Sequence, residues 1–476
     1  MATEKVVSTL YDYDPYAIYR AVADRHTAYP MFRQMLRMQN ATRAVSAPTT
    51  GHYERDWRFN LVTFASIDAT TAAGEDAVYT LDASSMYDLS VNVSGSARQA
   101  SAVRVGDIIE SYTGARILVT AKTTSSTPHT ITVKPLSASV DVDAEFSATG
   151  TYAIFGNMHA EGSTIPEGLL PRISKYTNVF QIVKEGAGTT GTELTNQTWA
   201  QIVPGKDGSI FMAIEGDTMM RYERAMCYTL LFGTTANNLT AAATTEVPFD
   251  VAIKGTEGLV PFVSVNGHTD NYTSGSYSID DFDAMAVIFE QERIGTRQIV
   301  TYDGYTIFQE TENALQTLLN ANLTVELLKT LGGDGKVPSD SLQPYESNDF
   351  SFYIGFRAVR KSGYDFFFRM LHEFNDYTGA GAPNYEYPSY RIATPLGFAV
   401  ERASGNEVPY VSYEYKGLNG YNRHDLVDYT AGIGVAGAPG MARVASTTYD
   451  VARMGIVSEI AGHFACPNKC ILQTPA

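Results

Sequence analysis

One stretch of the sequence, Asn157 to Gly233, limits the possible folds more than any other. It begins directly after Gly156 with the segment NMHAEGSTIPEGLLPRISKYTN, which contains glycine and proline. Such a composition is typical of an irregular arm. An alternating run at Val179, Gln181 and Val183 then predicts a β-strand of a hairpin, with the glycine-rich Gly186 to Thr192 as its turn. A hairpin that has no core of its own is at best marginally stable, so we expect this one to need a partner.

A long amphipathic helix is predicted directly after the hairpin, from Asp207 to Leu231. One face repeats every four residues, at Ile210, Ile214, Thr218, Tyr222, Met226 and Leu230. Charged residues decorate the opposite side, at Glu215, Asp217, Arg221 and Arg224. At 1.5 Å per residue the helix would be roughly 35 Å long. Gly233 supplies the stop, since glycine tolerates the left-handed conformation that ends a helix.

A second compositional region, Phe59 to Phe155, is rich in Thr, Ser, Val and Ala. Its short alternating runs are separated by turn residues, which predicts a small all-β barrel. Ten acidic residues stand against five basic ones in this region. Because duplex affinity comes mainly from Lys and Arg, a nucleic-acid role for the barrel is disfavoured and an interaction or structural role is favoured.

The run TNVFQIVKEGAGTTGTE, followed by MRYERAMCYTLLFG in the long helix, resembles the extended loop and spine helix of tailed-bacteriophage major capsid proteins. The resemblance is to the Hong Kong 97-like capsid fold and extends to the C-terminal half. It implies an α+β fold with an N-terminal arm, an extended loop, a spine helix, and peripheral and axial domains. An inserted domain near the extended loop is common in this family, and the crAss-like gut phages are the group that this arrangement resembles.

The resemblance also implies a division of the chain. The expected regions are 1–58 as an N-terminal arm across neighbouring subunits, 59–155 as the inserted barrel, 156–195 as the extended-loop hairpin, 196–245 as the peripheral domain with the spine helix, 246–400 as the axial domain, and 401–476 as the return to the peripheral domain. Within the axial region, alternating helices and strands suit an α+β layer. Its local patterns predict a strand at Leu259 to Val265, a helix opened by a capping box at Ser278, and a helix from Glu312 to Leu331.

Composition sets further limits on function. The 476 residues carry a formal net charge of −17, which is poorly suited to gripping phosphate. Cys227, Cys466 and Cys470 are too few for a disulfide framework, so folding in a reducing cytoplasm is expected. The N-terminal residues MATEKVVSTLYDYDPY contain no apolar signal core. No run of about 18 apolar residues occurs, so no membrane contact is predicted.

Possible cofactor and metal motifs are weak. Gly432, Gly434 and Gly437 fit G-x-G-x-x-G, but a polar segment precedes them and Ala438-Pro439-Gly440 is a poor helix start, so we predict no cofactor. His463, Cys466 and Cys470 lack the fourth ligand and the paired spacing that zinc needs, so we predict no metal. The acids Asp280, Asp281 and Asp283 fit helix capping better than a calcium loop.

No catalytic residue is predicted. The histidines stand in no recognised catalytic motif, at His26, His52, His129, His159, His268, His372, His424 and His463. His424 and Asp425 are adjacent, but neighbours in a strand point to opposite faces. A chain of this length without a catalytic constellation, and with 30 tyrosines, is typical of an assembly component.

The expected function is a structural virion protein, not an enzyme, that self-assembles into hexamers and pentamers of an icosahedral capsid around packaged double-stranded DNA. The resemblance implies portal, scaffolding and auxiliary or decoration proteins as further partners, assembly in the host cytoplasm, and no sequence-specific DNA binding. Two alternatives remain open: a phage tail or decoration protein, which would lack so long a helix beside a hairpin, and a hydrolase with an unrecognised site. The short N-terminal segment departs from relatives that carry a removable scaffolding segment, and nothing indicates the isopeptide crosslink of some relatives.

Overall fold

The computed structural model describes residues 30–56, 61–67, 72–88, 99–125, 127–166, 168–169, 172–192, 210–240, 252–322, 358–376, 386–400, 407–433 and 447–476. The chain divides into two compact units. Unit 1 combines Met1–Thr50 with Thr177–Ala476, and unit 2 is Gly51–Tyr176. The second unit is therefore an insertion into the sequence of the first.

The described helices are α1 (Phe32–Met38), α2 (Val142–Glu145), α3 (Ile210–Phe232), α4 (Leu259–Asn266), α5 (Asp280–Gln291) and α6 (Tyr305–Asn322). The strands of the first half are β1 (Thr42–Val45), β2 (Thr49–Asp56), β3 (Leu61–Ser66), β4 (Ala77–Leu81), β5 (Met86–Asp88), β6 (Gln99–Ser101), β7 (Asp107–Glu110), β8 (Arg116–Thr123), β9 (Thr130–Pro135), β10 (Thr151–Asn157), β11 (Arg172–Val179), β12 (Gln181–Thr190) and β13 (Ala236–Thr240). Those of the second half are β14 (Ala252–Gly255), β15 (His268–Tyr272), β16 (Gln298–Asp303), β17 (Ala358–Lys361), β18 (Tyr364–Met370), β19 (Arg391–Pro395), β20 (Phe398–Val400), β21 (Glu407–Pro409), β22 (Val411–Leu418), β23 (Tyr421–Asn422), β24 (Leu426–Ala431), β25 (Val451–Phe464) and β26 (Ile471–Pro475).

Unit 1 contains a six-stranded sheet, here sheet A, in the order β1-β22-β25-β12, with β23 added to β22 and β24 added to β25. Strand β12 pairs antiparallel with β25 along its whole length, from Gln181 opposite Ile460 to Thr190 opposite Val451. Helix α3 packs on one face of this sheet, where Met454 and Ile456 are buried. The prediction of a long helix is confirmed over Ile210–Phe232, and residues 207–209 of the expected range lie outside the described residues.

The long helix ends where two glycines meet. The N–H of Gly258 donates to the carbonyl oxygen of Gly233 at 2.8 Å. A Cβ at Gly233 would lie 2.4 Å from the carbonyl oxygen of Thr229, and one at Gly258 would lie 2.5 Å from the nitrogen of Gly233. Gly233 is the stop that the sequence indicated, but it does not have the positive φ of a left-handed cap. A glycine stands here because only a residue without a side chain fits this close approach.

A second six-stranded sheet in unit 1, here sheet B, has the order β15-β26-β19-β16-β18-β17. Helix α5 covers it through Phe282, Met285 and Phe289, which are fully buried in one cluster with Phe366 and Ile299. The capping box at its start is confirmed in part. The N–H of Asp280 donates to Ser278 Oγ at 3.2 Å, and the N–H of Ser278 donates to the Asp281 carboxylate at 2.6 Å.

Unit 2 contains a closed barrel in the strand order β10-β3-β4-β9-β8-β7. Its centre is filled by aromatic side chains: the Phe64 ring lies 4.9 Å from the Tyr79 ring and 5.5 Å from the Tyr152 ring, centroid to centroid. Phe64 and Tyr79 are fully buried. The predicted small barrel is therefore confirmed as a closed and packed one.

The pairing of the predicted hairpin is wrong. Only Phe180 separates β11 from β12, which leaves no room for the residues that a reversing turn requires. Strand β11 pairs with β2, which lies before the barrel in sequence, and β12 joins sheet A. The expected turn at Gly186 to Thr192 is strand β12 as far as Thr190. Alternation predicts a strand but not its partner.

The N-terminal region also differs from expectation in its described part. Helix α1 and strand β1 pack within unit 1 instead of leaving it as an arm, and β1 runs parallel to β22 from Thr42 opposite Tyr413 to Val45 opposite Lys416. Phe32 and Arg33 of α1 are fully buried. Residues 1–29 of the predicted arm lie outside the described residues.

Two predictions in the second half also need correction. Leu259 to Val265 was expected as a strand because of its valines, but it is helix α4, whose Leu259 and Val263 are fully buried. Packing of an apolar segment here outweighs a weak β propensity. The helix expected from Glu312 begins at Tyr305, and its predicted end at Leu331 lies outside the described residues.

Candidate assembly surface

Strands β2 and β11 form a two-stranded ribbon. None of the side chains at 51–55 and 172–177 is buried, and Tyr53 is 63% exposed. In the described part of the chain, these two strands pair only with each other. Because an isolated two-stranded ribbon is marginal in water, this one lacks the core that would stabilise it.

The ribbon carries aromatic and charged side chains in contact. The Lys175 ammonium lies 5.8 Å from the ring centroid of Tyr53, and the rings of His52 and Tyr176 are 5.6 Å apart. His52 Nε2 lies 2.7 Å from Glu54 Oε1. An exposed tyrosine such as Tyr53 is typical of a protein-binding surface, where tyrosine is enriched.

Asn178 follows the ribbon at its junction with sheet A. Its Nδ2 donates to the carbonyl oxygens of Glu257 at 3.1 Å and Gly462 at 2.8 Å. Its Oδ1 accepts from the backbone N–H groups of Val179 and Glu257, both at 2.9 Å. Four hydrogen bonds use the full capacity of this amide, so the side chain fixes the C-terminal end of β11 within unit 1. The sequence around Asn178 gives no signal of this role.

Helix α3 makes contacts within unit 1 through both of its faces. Tyr222, Met226 and Leu230 of the predicted apolar stripe are buried, and Thr218 lies with them. The charged face is also engaged: Arg221 Nε lies 3.1 Å from Glu185 Oε1, Arg224 lies 3.4 Å from Asp376, and Tyr429 donates a hydrogen bond to Glu215. The helix is therefore a fixed rod within unit 1.

Arg33 of helix α1 is the centre of a buried ionic cluster. Its side chain is fully buried, with Nη1 2.6 Å from Glu223 Oε1 of α3 and Nη2 bonded to Asp425. The Arg33 charge lowers the pKa of Asp425 against the effect of burial, which alone would raise it. The cluster joins α1, the long helix and the turn before β24, three segments far apart in sequence.

His424 and Asp425 do not point to opposite faces as predicted. They lie in a turn, where Asp425 has a positive φ of 50°, and both side chains face Arg33. His424 Nε2 is 3.2 Å from Arg33 Nη2 and 3.1 Å from the Tyr413 hydroxyl. Burial lowers the pKa of His424 to about 4, and the positive charge of Arg33 acts in the same direction. The pair is a structural contact with a buried arginine.

Glu373 anchors the start of helix α1. Its Oε1 accepts from the backbone N–H groups of Met31 at 2.7 Å and Phe32 at 2.9 Å. A carboxylate at a helix N-terminus satisfies donors that have no partner inside the helix. Cys227 lies beside it, and burial together with the Glu373 charge raises the pKa of this thiol. Cys227 is thus a buried free cysteine of the long helix.

The other candidate residues do not converge. His463 Nδ1 lies 3.2 Å from Ser412 Oγ, and the Cys470 thiol donates to the carbonyl oxygen of Cys466 at 3.9 Å. In the described part of the chain, no group of three or more His, Cys, Asp or Glu side chains is placed where it could hold a metal ion. Among the helices described, none is long and apolar enough to cross a membrane.

The glycine motif falls partly outside the described residues, because Gly434 and Gly437 belong to the segment 434–446. Gly432 forms a parallel bridge with Thr447. A Cβ at Gly432 would lie 1.7 Å from the carbonyl oxygen of Tyr449, so close backbone packing explains this glycine without a cofactor.

No protein-family model matches the chain, and no curated protein matches it. Among solved structures, the chain is similar to one from Microbacterium phage Oxtober96, at 9% identity and a TM-score of 0.40, covering 97% of this chain and 96% of that one. It is also similar to a chain in the capsid of Myoviridae phage XM1, at 7% identity and a TM-score of 0.39, covering 97% of each. A chain of the mature capsid of bacteriophage PhiM1 gives 7% identity, a TM-score of 0.38, and coverage of 97% and 92%. At these identities and TM-scores the similarities carry no functional argument, so function has to be inferred from the geometry of this chain.

Proposed function

We propose that this chain is a structural capsid protein of a tailed phage, which self-assembles into the hexamers and pentamers of an icosahedral shell around packaged double-stranded DNA. The observation that carries the proposal is the ribbon of β2 and β11, in which no side chain at 51–55 or 172–177 is buried. A ribbon of this kind becomes stable when a second molecule covers it. Identical subunits that cover one another's ribbons around a ring close a capsomer.

The remaining architecture supports the same function. A 23-residue helix packs on sheet A, and a closed barrel is inserted ahead of it in sequence. This combination fits the spine helix and inserted domain that the sequence resemblance implies. A β-rich tail or decoration protein would have no need of such a helix, so that alternative is disfavoured.

Charge favours a second copy as the partner of the ribbon. The ribbon carries three basic residues, Arg55, Arg172 and Lys175, against two acidic ones, Glu54 and Asp56, on a chain with a formal net charge of −17. A copy of the same chain therefore offers a predominantly acidic surface to these side chains. The same acidic balance keeps the wall of a shell from binding the packaged DNA tightly.

In this proposal the protein acts by shape and association and has no catalytic role. It assembles in the host cytoplasm and remains in the virion. Its further partners are the portal, scaffolding and auxiliary or decoration proteins of the same particle, with a crAss-like gut phage as the proposed source.

The test is assembly of the purified, full-length chain. We expect sedimentation velocity and electron microscopy to show closed shells or six-fold rings. The variant Tyr53→Ser removes the most exposed tyrosine ring of the ribbon and should shift the population towards monomers. Tyr305→Ser, at a tyrosine of similar exposure in unit 1, serves as the control and should assemble normally. Uniform wild-type monomers at high protein concentration would contradict the proposal.

A further inference from the structure

One end of the barrel interior is polar. Strand β8 finishes and strand β9 begins at this end, and Lys122 of β8 is paired with Ile131 of β9. Paired residues share a face, and Ile131 belongs to the buried core of the barrel, so Lys122 also points inward. His129 precedes Ile131 by two positions and continues the ladder, because its carbonyl oxygen accepts from the N–H of Leu81 at 2.9 Å. Its side chain therefore faces the same interior and is only 3% exposed.

Two buried polar atoms at this end have no hydrogen-bond partner among the described residues, namely His129 Nδ1 and Ser101 Oγ. Met86 connects the two side chains. It is paired with Ser101 between β5 and β6, and its sulfur atom accepts from the backbone N–H of His129 at 3.3 Å. Met86 belongs to the barrel core, so Ser101 faces the barrel as well. Because buried polar groups in native proteins are nearly always hydrogen-bonded, these two atoms indicate that a bound molecule supplies their partner.

The charge at this end is locally positive. The Lys122 ammonium donates to the carbonyl oxygen of Val103 at 2.7 Å. Asp107 is close to Lys122 but is shared with Arg104, whose backbone N–H it accepts at 2.8 Å and whose Nη2 lies 3.6 Å from Asp107 Oδ1. Burial raises the pKa of Asp107, and the charges of Arg104 and Lys122 both oppose that rise. Two cations therefore share one carboxylate, in a barrel that is acidic as a whole.

His129 contributes a neutral donor. Burial lowers the pKa of His129, and the charge of Lys122 acts in the same direction. A neutral imidazole carries one N–H, so with its proton on Nδ1 the ring donates a hydrogen bond without adding charge. A molecule bound here would meet one positive charge, from Lys122, and two neutral donors, from Ser101 and His129.

We propose that Ser101, Lys122 and His129 bind a small oxyanion, a phosphate or a carboxylate, at this end of the barrel. We call these three side chains the oxyanion site. An ammonium, a hydroxyl and an imidazole N–H all donate to anionic oxygen, and hydrogen bonds to a charged acceptor are the strong ones. The positive charge of Lys122 repels a metal cation from the same place. The site belongs to the inserted barrel and does not depend on assembly of the chain.

Calorimetric titration of the full-length chain with inorganic phosphate tests the oxyanion site. We expect saturable binding near neutral pH, with sodium chloride holding the ionic strength constant so that general screening by salt does not contribute. A parallel titration with acetate distinguishes the two sources of anionic oxygen. Tighter binding of phosphate would identify a phosphate ligand, and tighter binding of acetate would identify a carboxylate.

Lys122→Met locates the binding. The variant removes the charged donor, so the affinity for phosphate should fall at least about tenfold. Lys134→Met is the matched control, because Lys134 is 57% exposed and lies 3.3 Å from Asp76 on the surface. It should bind phosphate as the wild type does. Equal weakening in both variants would overturn the site, because the binding would then reflect the net charge of the barrel.

Ser101→Ala is a second test that leaves the charge unchanged. Its hydroxyl has no partner among the described residues, so the melting temperature without phosphate should be unchanged or higher. The affinity for phosphate should nevertheless fall, while Ser139→Ala, at an exposed serine of the same unit, should leave it unchanged.

Two results would overturn the proposal. One is a lower melting temperature of Ser101→Ala in phosphate-free buffer, because the hydroxyl would then have a partner that the protein or a buried water supplies. The other is the absence of saturable binding of either anion to the wild type. Neither result bears on the proposed function, since assembly is measured separately.

Discussion

Arg391 and Asp303 form an ion pair in which neither side chain is exposed, with Arg391 Nε 2.7 Å from Asp303 Oδ1. Arg391 also donates to the Tyr277 hydroxyl at 2.5 Å and to Thr311 Oγ1 at 2.8 Å. Burial raises the pKa of Asp303, and the Arg391 charge opposes that rise. The pair joins β16 to β19 at the centre of sheet B, so each charge depends on the other.

Removal of one member of this pair should be strongly destabilising. Arg391→Met leaves a buried carboxylate without its counter-ion, and we expect the free energy of unfolding to fall by about 3–5 kcal/mol. Chemical denaturation of the full-length protein measures the loss. Arg360→Met is the matched control, because its ion pair with Asp365 is on the surface and Arg360 is 76% exposed; it should cost less than about 1 kcal/mol. Equal losses of unfolding free energy in the two variants would contradict the claim that each buried charge of the Arg391–Asp303 pair depends on the other.

Glu373 is expected to hold helix α1 in place. Glu373→Ala removes the acceptor of the Met31 and Phe32 N–H groups, and the helix should lose about 1–3 kcal/mol of local stability. Hydrogen exchange should accelerate at α1 while sheet B keeps its protection. Glu386→Ala, at an exposed glutamate of unit 1, provides the comparison. Unchanged exchange at α1 in Glu373→Ala would show that packing alone holds the helix.

Stability should depend on pH through His424. Burial lowers its pKa to about 4, below the ordinary value of about 6.5. Between these values the unfolded chain binds a proton at His424 that the folded chain does not, so this contribution is lost as pH falls from 6.5 to 4. The loss amounts to up to about 3 kcal/mol. Denaturation at a series of pH values should show that the free energy of unfolding of His424→Gln depends less steeply on pH in this window than that of the wild type. An identical dependence would contradict the assignment of this pH effect to His424.

The barrel should fold on its own. Its core is contributed by residues within unit 2, including fully buried Phe64, Tyr79 and Ile117, so a fragment spanning 59–157 contains its own core. We expect cooperative thermal unfolding of this fragment by circular dichroism. Phe64→Ala should destabilise it by about 3–5 kcal/mol. A fragment without a cooperative transition would show that the barrel depends on the rest of the chain.

Local sequence patterns predicted those elements that are determined by residues only a few positions apart. The four-residue repeat through Tyr222, Met226 and Leu230 predicted the long helix and its buried face. Short alternating runs predicted the barrel strands, because each pairs with a neighbour and buries every second residue. Ser278 predicted a helix start because capping uses residues only a few positions apart.

The errors concern contacts between residues distant in sequence. Strand β11 pairs with β2, although the barrel lies between these two strands in the sequence. No local sequence pattern identifies that partner. The burial of Arg33 depends on Glu223 and Asp425, which are 190 and 392 positions away. Gly186 resembled a turn residue, and its place in mid-strand follows only from the pairing with Gly455.

Strands β3 and β10, the first and last of the barrel, are hydrogen-bonded neighbours, with Val62 opposite Tyr152. The chain therefore enters and leaves the barrel at one place. A module with adjacent ends can be exchanged for another without a change in the path of the host polypeptide. The barrel is therefore an exchangeable module. Foreign domains whose termini are similarly close should be tolerated in its place between β2 and β11.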